Sequence, residues 1–157
     1  MAAGITFEPI ATTSSPSGTS YTFSNIPQNY TDLVVVGSIK MSGNTTLRLR
    51  FNGSSSGYSY KHYLSDGSNS QGNTSQADLV DNNGLVLSNF YLDVMNYAPT
   101  TLVNKSFLFR SGDQTYGWLG SGAWNSSAAI TSIELLTTNG QTFSSPSVLT
   151  LYGIARA

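Results

Sequence analysis

Residues 53–57 read Gly53-Ser54-Ser55-Ser56-Gly57, which fits G-x-S-x-G, and His62, the only histidine, follows five residues later. In α/β-hydrolases that motif sets the nucleophilic serine on a sharp turn from a strand into a helix, with a histidine base and an orienting carboxylate. Ser55 and His62 are therefore the pair to weigh, with Asp66, Asp78, Asp81, Asp93 or Asp113 as orienter. The flanks argue against an elbow. TLRLRF (46–51) and YSYKHYL (58–64) both alternate with period two, so the motif lies between strands. Asn52-Gly53 is itself a hairpin signal. His62 is expected on a sheet face among tyrosines, and no catalytic residue is assigned.

The other chemistry-bearing residues are sparse. The carboxylates are Glu8, Asp32, Asp66, Asp78, Asp81, Asp93, Asp113 and Glu134. A glycosidase needs two of them about 5–10 Å apart, which spacing along the chain does not supply. Asp78 and Asp81 share a polar stretch that suits solvated acids better than a Ca²⁺ loop, since EF-hand spacing is missing. No metal or cofactor is expected. Arg48, Arg50, Lys61, Lys105 and Arg110 all fall on expected strands. Arg48 and Arg50 share one face, which meets either solvent or an acidic partner surface. Trp118 and Trp124 sit among Gly117, Gly120 and Gly122, where a strand admits a bulge or a close backbone approach. With Tyr97 or Tyr116, exposed tryptophans would stack on sugar rings or anchor an interface, while a core place for at least one is the simpler reading. Candidate partner contacts are thus Arg48, Arg50, Lys61, Trp118 and Trp124.

The elements that must position these residues are strands. ITFEPIA (5–11), SYTFSNI (20–26), LVVVGSI (33–39), LVLSNFYLDVM (85–95), LVNKSFLFR (102–110), TYGWLGSGAW (115–124), AITSIELLT (129–137) and SVLTLYGIA (147–155) join the two above. Gly, Asn, Ser or Pro separates each from the next, which predicts an antiparallel β-sandwich or barrel. In TLRLRF, Leu47, Leu49 and Phe51 face the core and Arg48 and Arg50 face out. Pro16-Ser17-Gly18 and Ser144-Ser145-Pro146 read as turns. Residues 66–84, DGSNSQGNTSQADLVDNNG, read as a long polar connection able to reach a neighbouring molecule. One domain, 1–157, is expected.

Composition narrows the function classes. Charged residues are 10% and the net charge is −1, so no field steers nucleic acid. Aromatics are 11%, which with low net charge does not fit disorder. There is no cysteine, which excludes disulfides and thiol chemistry. The first residues lack the basic start and apolar stretch of a signal peptide, and no apolar run is long enough for a spanning helix. Asn-x-Ser/Thr at Asn29, Asn44, Asn52, Asn73, Asn104 and Asn125 is read as accidental in a chain this rich in those residues.

Three stretches share a pattern with a known group. They are YTFSNIPQNYTDLVVVGSIK (21–40), LRLRFNGSSSGYSY (47–60) and AITSIELLTTNGQTFSSPSVLTLYGIA (129–155). Phe23-Ser24-Asn25-Ile26-Pro27 precedes Y-x-x-L at Tyr30–Leu33, Arg50-Phe51-Asn52 leads into a turn, and Leu151–Ile154 reads LYGI. Together they resemble small jelly-roll-like β-sandwich virion proteins of tailed bacteriophages, over nearly the whole chain. The resemblance implies a jelly-roll-like sandwich and a part in particle structure, as a capsid decoration (cement) protein or a tail or fibre module. It carries over no catalytic residue. A fibre would need a coiled coil or repetitive shaft, so the expectation is decoration.

On that reading the protein is made in the host cytoplasm and resides on the capsid surface of the virion. Its partner is the major capsid protein, with neither nucleic acid nor membrane. A homo-oligomer, dimer or trimer, suits local lattice symmetry, and many weak lattice contacts add through effective concentration. The N-terminal segment and residues 66–84 would touch the partner. The alternative is a tail module recognising host-surface carbohydrate.

Overall fold

The computed structural model describes residues 6–74, 77–83, 86–101 and 104–155. Among them are twelve strands and no helix: β1 (Phe7–Ser14), β2 (Ser20–Phe23), β3 (Asp32–Met41), β4 (Asn44–Phe51), β5 (Tyr58–Leu64), β6 (Asn69–Thr74), β7 (Ala77–Asn83), β8 (Ser88–Met95), β9 (Asn104–Gly112), β10 (Gly117–Asn125), β11 (Ile133–Thr137) and β12 (Phe143–Ile154). The larger sheet has the order β1-β12-β3-β8-β9-β10-β5-β6, the smaller β2-β11-β4-β7, and every pairing is antiparallel. Without the hairpins β5–β6 and β9–β10, the remaining strands run β1-β12-β3-β8 against β2-β11-β4-β7. Strands from the two ends of the chain interleave in both sheets, which is jelly-roll connectivity. The two hairpins extend one sheet beyond β8.

Alternation sorts the side chains as the period of two requires. Leu47, Leu49 and Phe51 of β4 and Ile133 and Leu135 of β11 point inward, against Leu33, Val35 and Ile39 of β3 and Leu92 and Val94 of β8. Three cross-strand pairs in the larger sheet join a glycine to a phenylalanine: Gly37 with Phe90, Gly120 with Phe109 and Gly122 with Phe107. A Cβ on these glycines would lie 2.0–2.3 Å from the partner's ring, so each ring lies over its glycine. The β10 glycines were expected to mark a bulge or a backbone approach. No bulge forms, since the β9–β10 register is unbroken; aromatic rings fill the space over Gly120 and Gly122, and at Gly122 the Ser59 backbone oxygen also approaches, 2.7 Å from a Cβ there. Tyr30 covers Gly153 in the same way, with 2.4 Å to a Cβ there, so Y-x-x-L and LYGI meet in space.

Two expected connections are corrected. Residues 66–84 are not one long loop: β6 pairs with β5 and β7 pairs with β4. Ala77, Leu79 and Val80 bury the inner side of β7, while β6, at the sheet edge, needs little apolar content. A polar edge strand is held by backbone pairing, a signal that hydropathy alternation does not carry. Residues 75, 76 and 84 of that stretch lie outside the described residues. Ser144-Ser145-Pro146, expected as a turn, lies within β12 at a break in its register with β3.

Candidate functional site

The G-x-S-x-G stretch links β4 of the smaller sheet to β5 of the larger. It is an arch between sheets, so the expected hairpin is corrected, although the tight turn itself forms. Asn52 and Gly53 have φ of 52° and 66°, and Ser54 N–H donates to Phe51 O at 2.9 Å. Two positive φ values in succession are what an Asn-Gly type I′ turn uses. The Asn52 side chain then fixes the neighbouring segment. Its Oδ1 accepts from the backbone N–H of Thr131 (2.8 Å) and Ser132 (3.1 Å), and its Nδ2 donates to Ala129 O (2.8 Å). Beyond the arch, the buried Tyr58 hydroxyl accepts from Phe51 N–H at 2.6 Å, and Tyr58 stacks on Trp124. Burial pushes the Tyr58 phenol up to about 12.

Ser55 and His62 do not form a catalytic pair. Ser55 is exposed on the arch. His62 is buried, four residues beyond Tyr58 along β5, about 13 Å at the usual strand rise. Its ring stacks on Tyr60 and meets Phe109 edge-on, and its Nδ1 has no hydrogen-bond partner. A strand follows the motif in place of the helix an elbow needs.

The charged candidates pair with each other across the strands. Arg48 Nε lies 2.5 Å from Asp78 Oδ1, and Tyr60 donates to Asp78 Oδ2 at 2.7 Å. Asp78 is thereby a link between the sheets, and both its oxygens are engaged. Arg50 lies 3.6 Å from Glu134, its register partner on β11. The face of β4 read as solvent- or partner-facing is therefore neutralised within the molecule. Lys61 keeps an outward place, with its Nζ 5.2 Å from the Tyr63 ring centroid. Lys105 points into the core and donates to Pro99 O, and burial pulls its ammonium below the usual lysine range. Among the described residues, no group of three or more metal-ligating side chains gathers.

Both tryptophans are core residues, each 5% exposed, which corrects their place among the contact candidates. Trp118 and Trp124 occupy inward positions of β10, where alternation buries them. Trp124 Nε1 donates to Ser56 O across the arch at 3.2 Å. Tyr97 is also fully buried, with its hydroxyl donating to Pro27 O. Of the proposed aromatic platform only Tyr116 is exposed, packed edge-on against Trp118. It borders a groove of about 480 Å³ shared with Asp113, Thr115, Asn44 and Asn139.

Several exposed apolar side chains among the described residues share the outer face of the larger sheet. Leu119 (64% exposed) and Tyr63 (52%) are register partners on β10 and β5; on β9, Arg110 is the partner of Leu119, and the exposed Leu108 follows two residues along, opposite Ser121. Val36 and Val148 stand exposed farther along the same face. Arg110 lies over the Tyr91 ring, 4.7 Å from its centroid, between the two groups. Asp93, also on this face, has its carboxyl held above the usual range, chiefly by burial. Leu119 was legible in principle, since alternation that buries Trp118 sends Leu119 outward.

No family model matches this chain, and a comparison with curated proteins finds no match.

Proposed function

We propose that this chain is a non-enzymatic structural protein of a phage virion: a capsid decoration protein that binds the major capsid protein lattice from outside and stabilises it. The observation that carries the reading is the outer face of the larger sheet. Tyr63, Leu108, Leu119, Val36 and Val148 leave large apolar side chains in water there, on a face they share with Lys61, Asp93 and Arg110. Exposed apolar patches on a rigid domain serve contact with another protein better than chemistry on a small molecule. Among the described residues, the His62 ring packed against Tyr60 and Phe109, the exposed Ser55 and the internally paired Arg48 and Arg50 do not converge on one another. The jelly-roll order accords with the resemblance to small virion sandwiches.

The experiment is addition of purified protein to capsid shells assembled without it. Co-sedimentation at a fixed ratio to the major capsid protein, with a rise in the temperature at which shells open, is expected. Absence of binding overturns the proposal.

Glycan recognition by a tail module is the second reading. The observation favouring it is the groove beside Tyr116, with Asp113 and Asn139 at its edge to bond hydroxyls. With Trp118 and Trp124 buried, one exposed ring is a small platform. A glycan array with no binding above background removes this reading.

A further inference from the structure

Each sheet ends in two edge strands, and an unprotected edge invites another strand. Three of the four are protected. β1 carries Glu8 and Pro9 and a register break between Pro9 and Ala11. β2 is four residues long. β7 carries Asp78 and Asp81, and its register with β4 breaks at Leu47/Arg48. β6, Asn69-Ser70-Gln71-Gly72-Asn73-Thr74, has no charge and no proline, and its register with β5 is unbroken. β5 occupies one side of it, and no strand among the described residues pairs with the other.

We propose that β6 is a dimerisation edge: two copies pair β6 with β6, antiparallel, about a two-fold axis. Three features select a second copy as the occupant. Like charges opposite each other would oppose self-pairing, and β6 has none. Every strand pairing among the described residues is antiparallel, and a two-fold axis between identical strands enforces that kind. The pairing also consumes the one unprotected edge, so assembly stops at two copies and the remaining edges resist further addition. The dimer joins both larger sheets into one continuous sheet.

Gln71 lies on the outer face, opposite Lys61 in register; the proposed pairing is centred on Gln71, setting Asn69 against Asn73 and Ser70 against Gly72, so that the two Gln71 side chains meet at the axis. The test is sedimentation of the free protein over a concentration series, independent of any capsid. Wild type is expected to be dimeric at high micromolar concentration. Gln71→Lys and Gln71→Glu, each checked for native circular dichroism, are expected to be monomeric alone and to form a dimer when mixed. A monomeric wild type, dimers that survive in each variant alone, or no dimer on mixing overturns the proposal. Because the test omits capsids, its failure is separable from failure of the decoration reading.

Discussion

Asn52 holds the β4–β5 arch more firmly than any serine in it. Its amide bonds to three backbone groups of residues 129–132, and its positive φ suits asparagine better than most residues. Asn52→Ala is expected to lower unfolding stability by about 1–2 kcal/mol, read from urea midpoints. Ser55→Ala, exposed at the tip, is expected to stay within about 0.5 kcal/mol. Tyr58 gives a pH signature. Burial raises its folded-state phenol above the ordinary tyrosine value of 10 to about 12, so the neutral form is favoured in the folded protein. The associated stability is fully present below pH 10 and is lost as pH rises through 12. Tyr58→Phe is expected to weaken the fold at neutral pH by leaving Phe51 N–H unpaired, and to flatten the loss of stability above pH 10. Chemical denaturation at neutral and alkaline pH checks both.

At the scale of elements, the glycine–phenylalanine pairs show how the larger sheet packs. Glycine usually weakens a strand, so replacement by alanine in an open strand site would help. At Gly120 the added methyl meets the Phe109 ring and the His62 Cβ. Gly120→Ala is therefore expected to destabilise, by about 1–3 kcal/mol, measured by thermal or urea unfolding. A stabilising result would mean the rings do not close over the glycines. The same strands show what the sequence makes legible. TLRLRF alternates between apolar and charged residues, so its inward and outward faces read directly. YSYKHYL likewise sends Tyr58 and His62 inward. β6 reads as loop from its sequence because it holds no apolar side chain, and only the backbone pairing with β5 makes it a strand. The Asn52-Gly53 turn was legible as a turn, yet nothing local says that the next strand joins the opposite sheet. That choice depends on Tyr58 and Trp124 packing together, a contact 66 residues apart in sequence. The partners of Arg48 and Arg50 were hidden for the same reason: Asp78 and Glu134 reach them only through strand register.

For the whole molecule, a nearly neutral jelly roll with an apolar outer sheet face is suited to close packing against another protein, with little long-range steering. Lys61, Asp93 and Arg110 share that face with the apolar side chains that carry the contact, so binding to shells is expected to weaken only modestly between low and high salt, in contrast to a contact built on ion pairs. Leu119→Asp would replace the most exposed of these apolar side chains with a carboxylate between Tyr63 and Arg110, and is expected to weaken shell binding at least tenfold while leaving the unfolding midpoint nearly unchanged. Binding isotherms on shells alongside unfolding curves separate the two effects. The most direct measurement of the central claim is a reconstruction of particles at a resolution that traces strands. This jelly roll is expected on the outside of the capsid, with the β5, β9 and β10 face against the major capsid protein. Its density in the tail, or a capsid contact made by a different face with Leu119 and Tyr63 in solvent, would contradict it.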